Sequence, residues 1–264
     1  MIPCMRCMGK VRTGQALSSP FFFFIAAALL AAAPAFPFTF EPIVQDFASS
    51  GQGSIQSFRV ANPGTETVAV RISMLTRQMD LDGKETNEPA DAFFTVYPSR
   101  ITLEPGSAQA VRIQWKGPAA PEVEQCYRIL VEQLPVDFGG GQKARGSIKV
   151  MFRYLGAVYI LAKAAAPDVL LDSFRLAADP KGTESLELVF LNRGKAHAIL
   201  GDLTITVTAT AAVPAARRVF GPEELAGING ENMLPGTTRR FWLPLPPDLP
   251  RDGLDVAFRF EAIR

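Results

Sequence analysis

Turn residues recur along this sequence at intervals too short for helices. Asn62-Pro63-Gly64, Asp82-Gly83, Glu104-Pro105-Gly106, Gly117-Pro118, Asn192-Arg193-Gly194 and Leu234-Pro235-Gly236 each favour a reversal of the chain. Between them lie short runs rich in β-branched and aromatic residues, several of which alternate, as Val68, Val70 and Ile72 do. Such a chain cannot build long helices; it builds many short strands. Seven or eight strands are expected from Phe38 to Ala162 and six from Val169 to Ala262, with at most one helical turn, at Glu223 to Ala226. This is the pattern of antiparallel sandwiches of immunoglobulin type. The expected fold is therefore all-β: two immunoglobulin-like β-sandwich domains set at an angle with a cleft between them.

A long apolar run stands at Ser147 to Ala162, SIKVMFRYLGAVYILA. Its first half places Ile148, Val150 and Phe152 on one strand face and Lys149, Met151 and Arg153 on the other. The sequence reads as the last strand of the first domain, running on toward the second through Ala164-Ala165-Ala166-Pro167. Apolar side chains on an edge strand are normally avoided, because unpaired N–H and C=O groups recruit other chains. Here that hazard is a candidate function.

The N-terminus reads as an export signal. Arg6, Lys10 and Arg12 form a positive region without acids, Phe21 to Ala33 is apolar, and Ala33-Pro34-Ala35 resembles a cleavage site before Phe36. The expected division is a signal peptide over 1–35, a first sandwich over 36–162 and a second over 163–264. Removing the leader shifts the formal net charge from +1 to about −2, without the basic excess of a nucleic-acid binder. Cys4 and Cys7 leave with the leader, so Cys126 has no partner for an intramolecular disulfide and reads as a buried thiol.

Several segments together resemble the periplasmic pilus and fimbrial assembly chaperones of the chaperone–usher system, in a divergent, PapD-like branch. They are SFRVANPG at Ser57 to Gly64, TVYPSRITLEPGSAQAVRI at Thr95 to Ile113, YRILVEQLP at Tyr127 to Pro135 and LELVFLNRGKAHAIL in the second half. The resemblance implies a periplasmic protein that binds and caps pilus subunits by donor-strand complementation and delivers them to an outer-membrane usher. Subunits in that family lack a final strand, and the chaperone lends its own last first-domain strand. By position the donors are Ile148, Val150 and Phe152. Strand parity does not orient them, so packing in this domain's own core is an equal alternative; the donor face is then the Met151 and Leu155 side.

The family also holds the subunit's terminal carboxylate with two basic residues, because a carboxylate taken from water needs charge-assisted donors. Phe36 to Phe58 contains no Lys or Arg, so the first anchor is missing. The second role falls to Arg153, whose planar fork suits a carboxylate; Arg59 and Arg112 are possible substitutes without alignment. An unloaded edge leaves self-association open.

No enzyme, cofactor, metal site or small-molecule substrate is expected. Asp80, Asp82, Glu85, Asn87 and Glu88 lack the spacing of a calcium loop and read as a polar hairpin tip. His197 is the only histidine, no G-x-S-x-G surrounds any serine, and an exposed turn or strand edge is expected for it. The alternative function is an exported structural or adhesive protein of the cell surface, which would cover the Ser147–Ala162 strand rather than offer it.

Overall fold

The structure is a computed structural model, and it describes residues 38–136, 138 and 150–263. The expected leader over 1–35 and the donor residue Ile148 lie outside the described residues.

The first sandwich contains β1 (Thr39–Glu41), β2 (Val44–Ala48), β3 (Ile55–Ala61), β4 (Val68–Thr76), β5 (Gln78–Met79), β6 (Glu85–Thr86), β7 (Phe94–Tyr97), β8 (Arg100–Leu103), β9 (Ala108–Trp115), β10 (Gln125–Gln133) and β11 (Arg153–Leu161). A four-stranded sheet in the order β1-β3-β9-β7 packs against a five-stranded sheet in the order β2-β11-β10-β4-β8. Their inner faces bury Phe47, Phe58, Met74, Ile113, Ile129 and Ile160 in one core. The chain changes sheets at its start. β1 pairs antiparallel with β3, Pro42 follows, and β2 pairs parallel with β11. Proline has no N–H to give a ladder, so it suits this crossing point.

The second sandwich contains β12 (Val169–Ala178), β13 (Glu184–Asn192), β14 (Ala198–Ala209), β15 (Ala216–Phe220), β16 (Asn232–Met233), β17 (Thr238–Pro244) and β18 (Leu254–Ile263). One sheet runs β12-β13-β17, and in the other β14 pairs with β15, β16 and β18. Alternation decides which side chains enter the core. On β14, Leu203, Ile205, Val207 and Ala209 are buried, with Thr204, Thr206 and Thr208 half-buried between them.

Two asparagines do the same work in the two sandwiches. Asn62 Nδ2 donates to the carbonyls of Glu66 (2.7 Å) and Leu103 (3.0 Å), while its Oδ1 accepts from Gly64 N (3.0 Å). Asn192 Nδ2 donates to Ala196 (2.8 Å) and Met233 (2.9 Å), and its Oδ1 accepts from Gly194 N (3.0 Å). Each ties a turn to a neighbouring strand from inside, where water cannot serve.

Two expectations are corrected. Among the described residues of the apolar run, the ladder begins only at Arg153, since Phe152 N bonds the Gln133 side chain rather than its backbone. Glu223 to Ala226 lies in a single hydrogen-bonded turn, in which Glu224 N and Leu225 N both donate to the Gly221 carbonyl. His197 is buried, not exposed.

Candidate functional site

β11 lies between β10 and β2, but the two neighbours do not cover it equally. β10 pairs with it from Arg153 to Ile160, whereas β2 pairs with it only from Ala157 to Leu161. The direction of the backbone groups follows from two bonds. Phe152 O accepts from Gln133 N at 3.0 Å, so Phe152 faces the β10 side; Ala157 N donates to Ile43 O at 2.8 Å, so Ala157 faces the β2 side. Peptide groups alternate along a strand. Arg153 and Leu155 therefore direct N–H and C=O away from β10, and among the described residues no strand pairs with them there. The edge is open over Arg153–Gly156.

The side chains beside this edge are apolar and partly in water. Val150 is 61% exposed, Met151 48% and Leu155 40%. Phe152 is half-buried and packs against the first core, as Tyr154 does. Of the three expected donors, then, Val150 is free, Phe152 is shared with its own core, and Ile148 is outside the described residues. Arg153 is exposed and sits opposite Glu132 on β10. Glu132 is taken by Arg71, whose Nε lies 2.9 Å from it. Arg59 pairs with Glu41 at 3.2 Å, and it and Arg112 belong to strands of the four-stranded sheet.

The inner side of the edge is fixed by Phe38, just before β1. Tyr154 OH donates to Phe38 O at 2.8 Å, and the two rings meet edge-on at 5.0 Å. Gly156 is required here: a Cβ would lie 2.7 Å from Ile129 Cγ2, 2.9 Å from Ile43 O and 3.1 Å from Phe40 Cε1. The chain crosses from β1 to β2 directly over this glycine.

The far end of β11 reaches the second sandwich. His197 Nδ1 lies 2.6 Å from Glu124 Oε1, and the same oxygen accepts from His197 N at 3.1 Å. The imidazole stacks on Tyr159 at 3.7 Å, with 5° between planes. Tyr159 OH accepts from Arg77 (2.9 Å) and from Asn232 Nδ2 (2.7 Å). Burial raises the Tyr159 phenol above its ordinary value, against the lowering pull of Arg77. Cys126 Sγ lies 3.8 Å from Glu124 Oε1, and burial pushes this thiol up so far that it stays protonated. Beside them Glu85 is bound by Arg77 and Arg128, each Nε at 2.9 Å. Burial opposes its ionisation, but the Arg128 hydrogen bond and the two guanidinium charges outweigh burial and hold Glu85 below the ordinary carboxylate range.

Sequence reasoning missed this joint. Its one signal was the single histidine, which is informative only once Glu124 is known to face it across 73 positions.

The sandwich that carries this edge also matches a known family model. Residues 48–157 match the model of the pili and flagellar-assembly chaperone, PapD N-terminal domain. The match covers somewhat under half of the chain. Beyond the matched residues, most of the chain is similar in fold to solved chaperones. The CsuC–CsuE chaperone–tip adhesion subunit pre-assembly complex from archaic chaperone-usher Csu pili of Acinetobacter baumannii superimposes with a TM-score of 0.56 at 16% identity, over 84% of this chain and 97% of that one. The class 5 fimbriae chaperone CfaA gives 0.52 at 16% identity, over 86% and 94%. The YadV chaperone gives 0.52 at 10% identity, over 87% and 94%. At such identities the likeness establishes the two-sandwich fold. No curated protein matches the sequence.

Proposed function

We propose that this protein is a periplasmic chaperone that captures pilus or fimbrial subunits by lending them the open edge of β11, and that it hands them to an outer-membrane usher. The observation that carries the reading is the uncovered edge at Arg153–Gly156, in a PapD-type domain, flanked by water-exposed Val150, Met151 and Leu155. A lender needs such an edge accessible, whereas a structural component of the surface would cover it. Chaperone–pilin complementation is a standing example of strand addition to a sheet edge.

In this reading Arg153 and Leu155 supply the backbone hydrogen bonds that face the subunit. Ile148, Val150 and Phe152 fill successive pockets of its groove, since every second side chain shares a face. Phe152 joins the subunit's core to the chaperone's own. Arg153 holds the subunit's terminal carboxylate, in place of the pair of basic residues the family uses. The border between the two sandwiches lies in 162–167, and a signal peptide over 1–35 carries the chain to the periplasm. The mechanism is binding alone, with no cofactor and no chemical step.

The test is co-expression with a subunit from the same cell, followed by capture on a tagged chaperone. Ile148→Ser, Val150→Ser and Phe152→Ser together abolish capture in this reading while the chaperone stays folded. The Val150 change by itself weakens capture without any loss of stability, because that side chain stands mostly in water. Normal capture by the folded triple variant would sink donation by this face. Arg153→Ala weakens capture, and removing the subunit's terminal carboxylate erases most of that difference.

A further inference from the structure

The oxygen-rich hairpin β5–β6 joins neither main sheet of the first sandwich; it forms a two-stranded sheet of its own. Its tip is well ordered from within. Asp80 Oδ1 accepts from Asp82 N (3.0 Å) and Lys84 N (2.8 Å), and Gly83 turns the chain in the left-handed region, φ +83°. Its root is fixed to the first sandwich, where Arg77 and Arg128 hold Glu85 and Asn87 Nδ2 donates to Thr76 O at 2.9 Å.

The tip, however, belongs to the second sandwich. Arg240 of β17 donates from its backbone N to Leu81 O at 2.7 Å, and its guanidinium grips Asp82 with two bonds, Nε to Oδ1 at 2.9 Å and NH2 to Oδ2 at 2.8 Å. The preceding residue, Arg239, lies under the hairpin. It is 4% exposed, donates to Glu231 (2.9 Å) and Asn232 O (3.1 Å), and contacts Met79 Sδ at 2.8 Å. A Cβ on Gly83 would stand 2.2 Å from its guanidinium. Neighbouring side chains of a strand point to opposite faces, so two arginines in sequence hold one hairpin from two sides.

We propose that this hairpin is a latch that fixes the second sandwich against the first, with Asp82, Gly83, Arg239 and Arg240 as its positioning residues. The Glu124–His197 and Tyr159–Asn232 contacts act as the pivot; a pivot alone leaves a rotation, which the hairpin stops. The latch is built to release. Arg239 is a buried cation whose Nε has no hydrogen-bond partner among the described residues, a cost that water removes once the hairpin lifts. The Asp82–Arg240 pair stands partly in solvent and adds only a modest hold. Orientation of the second sandwich is a property of the chain by itself; its effect on subunit capture rests on the reading proposed above.

Residual dipolar couplings of backbone amides test the latch in the exported protein. One alignment tensor should fit both sandwiches of the native chain. Asp82→Arg and Arg240→Asp should each require two tensors of different magnitude, with shifts inside each sandwich unchanged, and the double charge swap should restore a single tensor. Gly83→Ala, which displaces Arg239 without touching the ion pair, should split the tensors as well. Single-charge variants that keep one native tensor would overturn the latch, as would a folded double swap that fails to restore it. In the capture assay Asp82→Arg should lose roughly two- to five-fold. Unchanged capture with split tensors would remove the role in capture and leave the latch standing.

Discussion

Replacing His197 by alanine tests how the two sandwiches are joined. The residue is 2% exposed, and its partner Glu124 is 4% exposed. The substitution leaves a carboxylate buried with only the backbone N–H at 3.1 Å and the more distant Cys126 thiol near it. Breaking a buried pair from one side costs about 3–5 kcal/mol, and losing a stacked ring adds about 0.5–1.5 kcal/mol. The surviving backbone bond reduces the first figure, so a loss of about 3 kcal/mol is expected. Glu124→Gln in the same chain removes the stranded charge, and the double variant should recover about 1 kcal/mol or more against the sum of the singles. Urea titration followed by fluorine NMR of labelled tryptophans suits the measurement. Trp115 lies in the first core and Trp242 on β17, so each sandwich reports its own transition. A loss below about 1 kcal/mol, or strict additivity of the two substitutions, would refute the argument that this contact is an energetic joint.

Other outcomes follow from the same geometry. Glu85, held below the ordinary carboxylate range, contributes stability that is present above that range and fades as pH falls through its depressed value; acid titration should show native protein losing its advantage over Glu85→Gln below about pH 4. Asn192→Ala leaves buried backbone groups unserved and should destabilise the second sandwich by about 1–3 kcal/mol, read from the Trp242 transition. Gly156→Val overfills the space between Ile129 and Phe40 and should cost about 1–3 kcal/mol, or more if the Ile43 bond to β11 is lost, by the Trp115 transition. Mass spectrometry of periplasmic protein should find Phe36 as the first residue; an intact N-terminus in the membrane fraction would contradict the leader.

The fold was legible because its local signals agree with one another. Asn62-Pro63-Gly64 and Asn192-Arg193-Gly194 mark turns in the sequence, and in the structure each asparagine's amide closes its turn and reaches a further strand. Alternation on β14 likewise sorts core from surface without outside help. The run before Arg153 was less legible. Alternation predicts a strand wherever apolar residues recur, but a ladder also needs backbone partners, and β10 offers a side chain where a carbonyl was required. The joint between sandwiches was not legible at all. His197 carries no local signal of burial, because its environment is made by Glu124 and Tyr159, which arrive from distant strands. The same holds for Asp82, whose hairpin reads correctly as polar while its partner, Arg240, lies 158 positions away.

What sets the length of the open edge is the place where the first strand changes sheets. If β2 began earlier, it would pair with Leu155 and Arg153 and close the edge; if it began later, more of β11 would stand unpaired. Pro42 holds the crossing at one point, since it can give no N–H to either ladder. Gly156 holds the same point from below, because only a residue without Cβ lets Ile43 O and Phe40 approach so closely. Tyr154 then ties β1 down through Phe38 O, just before the strand becomes covered. Three residues thus decide how many backbone groups of β11 stand unpaired. In the proposed reading of β11 as a lent strand, a change at Pro42 or Gly156 alters the register of capture without removing any proposed donor side chain, and it separates the edge's geometry from its side-chain chemistry.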